Sequence, residues 1–300
     1  MGEVKRLDAK GWEVLIRRIK DGSCTPILGP GIYSEGPSLR SGIARKWAAD
    51  YGYPLNDGSD LARVARFLTV EYGDSEYAPS RYVEEFKKVP LPKFGDRDEP
   101  YTILAKLPLP VYITTNYDDL MEQALVKQHR DVKTDLCRWV KSLDDESPLA
   151  DGFKPDVANP SVFHLYGHMK SQKSMVLSED DYFQFLMNVS TEPELIPKRI
   201  EKAITGTSLM LLGYSLDDWD FRVLFHFLAA RIKNNTTRTH VAVQISPLGK
   251  EAPADLKQRA QTFFDKYFES KSPDIRVTWD TTQEFMIKLR DQVEKSGDGN

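Results

Sequence analysis

The stretch that decides the fold is Thr25-Pro-Ile-Leu-Gly-Pro-Gly-Ile-Tyr33, a short apolar run that ends in Gly-x-Gly. After a buried strand, such glycines let the backbone turn sharply and let a pyrophosphate approach it closely. The third glycine of the dinucleotide-binding fingerprint is missing at its usual spacing, and Pro30 lacks a backbone N–H. The loop by itself therefore fits a phosphate site and a simple glycine turn equally well.

Similar short apolar runs recur along the chain, each bounded by glycine or polar residues. This is the pattern of strands that are buried on both faces of a parallel sheet. The predicted strands are 26–28, 111–113, 162–165, 209–212, 241–245 and 275–277. Helices are predicted at 117–129, 219–232 and 282–293, the last with a capping box from Thr281 to Glu284. The sequence thus predicts an α/β fold with a Rossmann-like, mostly parallel sheet and helices on both faces.

Residues 37–108 interrupt this alternation of strands and helices. Their pattern contains no strand, and amphipathic helices are predicted at 39–51, 61–72, 81–88 and 101–107. We interpret the segment as a helical insertion or lid between the first and second strands of one domain, residues 1–295. Residues 141–160 are predicted to be a loop, and residues 296–300 a tail or linker.

Composition and charge argue against several classes of protein. Forty-one Lys and Arg against 45 Asp and Glu give a formal net charge of −4, so direct nucleic-acid binding is not expected. Two cysteines, Cys24 and Cys137, cannot form a four-cysteine zinc ribbon, and no other ligand spacing completes a metal site. No apolar run approaches the roughly 20 residues of a membrane helix. Because the start of the chain also lacks an apolar signal core, we expect a cytoplasmic protein that does not bind membranes.

The second polar strand end is Val111-Tyr-Ile-Thr-Thr-Asn-Tyr-Asp-Asp-Leu120. Polar residues at the carboxyl end of a parallel strand face the crevice where ligands of open α/β sheets bind. Alternatively, Asn116 caps the following helix while Asp118 and Asp119 complement its dipole. Both interpretations can hold together. Because capping alone does not require three consecutive polar residues, we favour a functional site.

Two further strand ends carry residues suited to chemistry. In Ser161-Val-Phe-His-Leu-Tyr-Gly-His168, a strand over 162–166 would place His164 and Tyr166 on one face, with His168 joining them if the strand continues. These groups suit acid–base chemistry near neutral pH, although a hydrogen-bonded core histidine is equally expected. In Leu212-Gly-Tyr-Ser-Leu-Asp-Asp-Trp-Asp220, glycine and a hydroxyl suit contacts to ribose or phosphate. The first acid there either binds a ribose hydroxyl or caps a helix.

Taken in order, these strand ends resemble the sirtuin-like (silent-information-regulator-like) domains of bacterial antiphage defence effectors that hydrolyse NAD. Residues 175–182 and 275–289 are similar to the same subgroup, so the resemblance covers residues 12–295. It implies an NAD glycohydrolase that yields ADP-ribose and nicotinamide and depletes NAD during infection, an abortive-infection response. Since such an activity must be kept off in healthy cells, a homo-oligomer, a regulatory partner protein or a regulatory domain is expected.

The resemblance also implies roles for particular residues. Asn116 would place the nicotinamide ribose and the attacking water, with Asp118 behind it, and His164 would act as a base or a ribose contact. Gly29 and Gly31 would hold the pyrophosphate. The full set of implied NAD contacts is Gly29, Gly31, Ile32, Tyr33, Thr115, Tyr166, His168, Gly213, Tyr214, Ser215 and Asp217.

The sequence departs from the sirtuin pattern at two points. Sirtuin deacylases keep a Leu-His-Gly strand end and a zinc ribbon, whereas this chain has Leu165-Tyr-Gly167 and lacks the ribbon cysteines. The missing ribbon argues against deacylation and against bound zinc. With Tyr166 at the histidine position, His164 is the first candidate substitute and His168 the second. If neither reaches the ribose, the alternative is a non-catalytic module that binds NAD or an ADP-ribose derivative, or a scaffold of a larger assembly.

Overall fold

A computed structural model of the chain describes residues 7–32, 39–140, 143, 147, 153–214, 219–232, 240–244, 253–269 and 275–296. Within these residues, seven strands form one sheet in which every neighbouring pair is parallel. The strands are β1 (Cys24–Leu28), β2 (Val111–Thr114), β3 (Lys133–Leu136), β4 (Ser161–His164), β5 (Ser208–Tyr214), β6 (His240–Gln244) and β7 (Ile275–Thr278).

The order of the strands is β3-β4-β2-β1-β5-β6-β7, so β2 to β4 lie on one side of β1 and β5 to β7 on the other, and the direction of the order reverses next to β1. In open α/β sheets, ligands bind at such a reversal point, in the crevice outside the carboxyl ends of the strands. The register pairs Leu28 with Thr114 and with Leu212, and Thr114 with His164. The carboxyl ends of β2, β4 and the central strand β1 therefore lie side by side, with Leu212 of β5 level with them.

Helices lie between most consecutive strands, as parallel crossovers usually require, and the described residues between β3 and β4 are the exception. The helices are α1 (Ala9–Lys20), α2 (Leu39–Asp50), α3 (Leu61–Tyr72), α4 (Tyr77–Phe86), α5 (Pro100–Lys106), α6 (Leu120–Lys127), α7 (Glu179–Thr191), α8 (Lys198–Gly206), α9 (Trp219–Ile232), α10 (Ala254–Glu269) and α11 (Thr282–Lys295). Short 3₁₀ helices lie at Pro30–Ile32, Gln172–Ser174 and Pro193–Leu195. Among the described residues, no helix has both the length and the apolar character needed to cross a membrane.

The predicted α/β class and all six predicted strands are confirmed. The missed strand is β3, whose residues Lys133–Leu136 are mostly polar because the strand lies at the edge of the sheet. Helix α4 begins at Tyr77 rather than at residue 81, since Pro79 falls in the first turn, where proline is tolerated. The capping box that opens α11 is confirmed, with Thr281 and Glu284 bonded reciprocally.

The helical insertion is confirmed over its described part, residues 39–108, which holds α2–α5 and no strand. Its buried residues Trp47, Leu68 and Tyr101 belong to the same apolar cluster as Ile27 and Ile113 of the sheet. In the predicted loop 141–160, the described residues form neither helix nor strand, and 141–142, 144–146 and 148–152 lie outside the described residues. So do residues 297–300 of the predicted tail.

Candidate active site

The loop after β1 packs closely against the end of β5. The Gly29 N–H donates to Leu212 O over 2.8 Å. A Cβ at Gly29 would lie 2.5 Å from a ring carbon of Tyr214, and a Cβ at Gly213 would lie 2.3 Å from Ile32 N. Gly213 also has φ +75°, a conformation that favours glycine. Both glycines are therefore needed for the two strand ends to meet.

Most backbone amides of this loop are already engaged. The Gly29 N–H is bonded to β5, Pro30 has no N–H, and the Ile32 N–H donates to Gly29 O over 3.2 Å. The Gly31 amide is thus the donor that residues 29–32 can offer to a phosphate. The predicted contacts of NAD with Gly29, Gly31 and Ile32 stay predictions.

Asn116 connects the end of β2 to this loop. Its side-chain Nδ2 donates to Gly29 O over 3.1 Å, and its backbone N–H donates to Thr114 Oγ1 over 3.0 Å. Helix α6 begins only at Leu120, so the alternative that Asn116 caps this helix is wrong. The side chain, in a residue only 6% exposed, is held across the gap between two strand ends instead.

Asp118 supplies the bond at the start of α6. Its Oδ1 accepts from the Leu120 N–H over 3.1 Å, and the residue is partly buried. Burial raises the pKa of the Asp118 carboxyl to about 6, against the lowering effects of this bond and of His164. A carboxyl group with a pKa near 6 is mostly ionised at neutral pH and is basic enough there to accept a proton.

Thr115 and Tyr214 lie in the protein core, and each is 0% exposed. Thr115 Oγ1 is 2.9 Å from the Tyr214 hydroxyl, which donates to Leu28 O over 3.0 Å. These side chains therefore tie the end of β1 to its two neighbouring strands. Their predicted contacts with NAD, like that of Gly213, stay predictions.

The strand that carries the histidines ends earlier than expected. Strand β4 stops at His164 and the chain turns, so His164 and Tyr166 do not share a strand face as predicted. The Tyr166 ring packs edge-on against Tyr182 and Phe185, with centroids 5.3 and 5.1 Å away. After this turn, His168 packs against His164, and the centroids of the two imidazole rings are 4.5 Å apart. The structure therefore brings the two candidate histidines together and points the tyrosine at α7.

Sequence reasoning missed Glu122, which lies in the first turn of α6. His164 Nε2 is 2.7 Å from Glu122 Oε1, and His164 Nδ1 is 3.1 Å from Asn116 O. Glu122 Oε1 also accepts from Thr134 Oγ1 over 3.2 Å, whereas Oε2 has no hydrogen-bond partner among the described residues. A signal was present: this carboxylate stands within a helix segment whose neighbours are buried and apolar, namely Leu120, Met121, Ala124 and Leu125.

Burial and pairing set the charges of this cluster. For His164, burial opposes the charged form, but the Glu122 carboxylate outweighs it and holds the pKa of the imidazole above its ordinary value. For Glu122, burial is likewise outweighed by His164, and the pKa of the carboxyl is lowered. Burial, with His164 nearby, lowers the pKa of His168 to about 4. At neutral pH, His168 is therefore uncharged.

Glu122, His164 and His168 offer ligand atoms within 4.8 Å of one another, close enough to suggest a metal site. Their hydrogen bonds favour protons instead. His168 Nδ1 accepts from the Lys170 N–H over 3.0 Å, so the neutral ring carries its proton on Nε2. Both nitrogens of His164 are engaged as well. In this protonation state neither ring has a free lone pair for a cation, and the expected absence of a metal stays a prediction.

Three of the predicted NAD contacts, Tyr33, Ser215 and Asp217, lie outside the described residues. The described residues nevertheless bring together the end of β2, the loop after β1, the start of α6 and the two histidines. Polar side chains at the reversal point of a parallel sheet are the arrangement of the doubly wound α/β class of proteins, whose members bind ligands at this point.

Residues 110–270, more than half of the chain, match the model of the SIR2-like domain family, and the chain belongs to this family. The matched region contains Asn116, Asp118, Glu122 and both histidines.

Curated relatives include the proteins named NAD(+) hydrolase ThsA. The one from Cytobacillus dafuensis is 29% identical over 226 residues, 71% of this chain and 40% of the relative. The relative from Bacillus cereus (strain MSX-D12) is 24% identical over 222 residues, which are 72% of this chain and 42% of the relative. The relative from Enterococcus faecium is 23% identical over 214 residues, which are 69% of this chain and 41% of the relative. The chain thus spans about four tenths of the length of these relatives.

Proposed function

We propose that this protein is an NAD glycohydrolase that converts NAD⁺ and water to ADP-ribose and nicotinamide. The observation that carries the proposal is the position of Asn116, whose Nδ2 binds Gly29 O at the reversal point of the sheet. In open α/β sheets, this is where a nucleotide lies. The names of the ThsA relatives support the same activity.

The reaction breaks the bond between nicotinamide N1 and ribose C1′ and forms a bond from C1′ to a water oxygen. Positive charge develops on the ribose in the transition state, so groups that fix the ribose and the water contribute most. Asn116 is the proposed group for that placement. Asp118 is the proposed acceptor of the water proton, because burial raises its pKa to about 6.

The defence role belongs to the same proposal. NAD depletion by this enzyme would stop phage growth at the expense of the infected cell. Since the uncontrolled reaction would harm the cell, we propose that a homo-oligomer or a regulatory partner switches the activity on. One domain over residues 1–295 would carry the chemistry.

A binding module without catalysis is the second candidate. The observation that favours it is that both His164 nitrogens are already bonded to protein groups while Tyr166 faces α7. Tight binding of NAD without turnover at every protein concentration would support this alternative.

The test is nicotinamide release by the purified full chain over a protein-concentration series. Asn116→Ala should lower the rate at least about 100-fold, the usual effect of removing one donor that stabilises a transition state. Asn188→Ala is the matched control, because Asn188 Nδ2 also donates to a backbone carbonyl, Trp139 O, over 2.7 Å. Each variant loses one such bond, about 1 kcal/mol of stability. A folded and fully active Asn116→Ala variant would contradict the site.

A further inference from the structure

The two hydrogen bonds of His164 fix how many protons the ring and Glu122 hold. A backbone carbonyl oxygen has no proton to give, so the Nδ1 that faces Asn116 O must carry one. A neutral ring would then turn the lone pair of Nε2 toward Glu122 Oε1 at 2.7 Å, where two lone pairs would repel. A second proton must therefore lie between His164 and Glu122.

The groups around the pair indicate where that proton resides. The charge of Asp118 favours an imidazolium at His164, whereas the uncharged His168 packs edge-on against the His164 ring. Thr134 Oγ1 donates to Glu122 Oε1 and so favours a carboxylate. Lys170 and Asp119 bond to each other farther out and largely balance in charge. The pair is therefore an imidazolium and a carboxylate, neutral as a unit.

We propose that Glu122 is a positioning residue of the active site: it keeps a proton on His164 Nε2, so that the doubly bonded ring holds the Asn116 carbonyl and aims the Asn116 side chain. This inference rests on the proposed function. The chain of contacts runs from Thr134 on β3 through Glu122 on α6 and His164 on β4 to Asn116 after β2. The contacts join three neighbouring strands to α6, the helix that follows β2.

The same protons change the role of His164. An imidazolium has no lone pair, so His164 cannot take a proton from water, and the role of base passes to Asp118. His164 thereby becomes a support for Asn116. Because the pKa of His164 is raised and that of Glu122 is lowered, the pair persists at neutral pH and loses its extra proton only as the pH rises.

The direct test is NMR of the full chain with ¹⁵N-labelled histidine, read from the ring nitrogens of its five histidines. His164→Gln assigns the resonance. In the wild type, both His164 nitrogens should be protonated at pH 7. Glu122→Gln should convert the ring to the neutral form with the proton on Nδ1, because a glutamine amide can donate to Nε2. A neutral His164 in the wild type, or an unchanged ring in Glu122→Gln, would overturn the proposal.

The matched control is Glu85→Gln. Glu85 is a carboxylate of similar exposure, 16% against 11% for the Glu122 side chain, and it pairs with Lys46 and Lys88 on the surface. The Glu85→Gln substitution should leave the His164 ring resonances unchanged. The Asn116 side-chain amide signals should shift in Glu122→Gln and stay in place in Glu85→Gln. Unmoved Asn116 signals in Glu122→Gln would overturn the positioning role even if His164 is charged.

Turnover provides a second measure. Glu122→Gln should lower kcat by about 10- to 100-fold, by analogy with groups that orient the histidine ligands of a metal, with KM nearly unchanged. Wild-type activity should fall at alkaline pH, where the pair loses its extra proton, and this fall should be absent in Glu122→Gln. If the wild type binds NAD but releases no nicotinamide at any protein concentration, the binding-module alternative is supported in place of the proposed function, whereas the NMR measurements still decide the inference. Wild-type kcat in Glu122→Gln would overturn it.

Discussion

Four ionisable residues share the space between the ends of β2 and β4 and helix α6, and their environments move their pKa values in opposite directions. Burial raises the pKa of Asp118 to about 6 and lowers that of His168 to about 4. The pair of Glu122 and His164 is instead stabilised in its charged form. Such divergence separates acid and base roles among neighbouring groups. In the proposed mechanism, this divergence makes Asp118 the proton acceptor and leaves the pair of Glu122 and His164 with a structural role.

Asp118→Asn should stabilise the protein at neutral pH and abolish nicotinamide release. A carboxyl whose pKa is raised in the fold contributes its stability below the unfolded pKa, near 4, and loses it as the pH rises through about 6. At pH 7, the free energy of unfolding of the variant should therefore exceed that of the wild type by on the order of 1–2 kcal/mol, a figure that allows for the partial exposure of the carboxyl. Near pH 4 the difference should be smaller. Urea unfolding at pH 4.5, 6 and 7.5 measures the difference.

Asp119→Asn is the control of opposite sign. Burial would raise the pKa of Asp119, but hydrogen bonds from Lys170 and Gln123 outweigh it and hold the pKa below its ordinary value. Its carboxylate stabilises the fold above pH 4 and less so as the pH falls. This variant should therefore lose stability at pH 7. Equal pH dependence in the two variants would refute the assigned burial of Asp118.

At the scale of secondary structure elements, Arg130 joins the end of α5 to the segments that lead into β2 and β4. Arg130 follows α6 and is 9% exposed. Its guanidinium donates to the Tyr112 hydroxyl of β2 over 3.0 Å. It donates to backbone carbonyls at the end of α5, before β2 and before β4, namely those of Ala105, Leu107, Leu109 and Val157. A planar fork of donors suits this role in a way that a lysine does not.

Arg130→Met should lower the free energy of unfolding by about 3 kcal/mol or more, because it leaves several buried carbonyls without a donor. Arg130→Lys should recover only part of this loss. Arg97→Met is the control, since Arg97 is an exposed partner of Glu294 and should change stability by no more than about 0.5 kcal/mol. Chemical denaturation compares the three variants, and a cost for Arg130→Met as small as that for Arg97→Met would contradict this role.

At the scale of the whole molecule, the insertion packs on both sides of Asn116. The Arg40 guanidinium of α2 donates to Thr115 O over 2.8 Å and lies 4.9 Å from the Tyr117 ring centroid. Tyr82 of α4 meets the same ring edge-on at 5.1 Å. Since these contacts and the shared core are continuous, we propose that the insertion folds with the sheet as one unit.

Hydrogen exchange of the full chain tests this unity. Amides of α3, whose Leu68 is 0% exposed, should open with the same free energy as those of β1. Helix α10 provides an internal reference, because its Leu256 is 43% exposed and its amides should be less protected. Earlier exchange of α2–α4 as a group, ahead of β1, would show instead an independently unfolding lid.

The sequence by itself determined the class of the fold and the strand ends that carry the candidate site. Strands buried on both faces leave short apolar runs, and their carboxyl ends leave glycines and polar residues such as Asn116, so local patterns were sufficient. It did not predict β3, whose place at the edge removes the apolar signal, or the start of α6 at Leu120.

Only the tertiary structure decided which side chains act on one another. Glu122 meets His164 across 42 residues of sequence, and Asn116 meets Gly29 across 87. The protonation of the imidazole, the raised pKa of Asp118 and the turn that separates Tyr166 from the histidines depend on such distant contacts. A local pattern records which strands and helices are favourable, whereas burial and hydrogen bonding at a site are set by groups that only folding brings together.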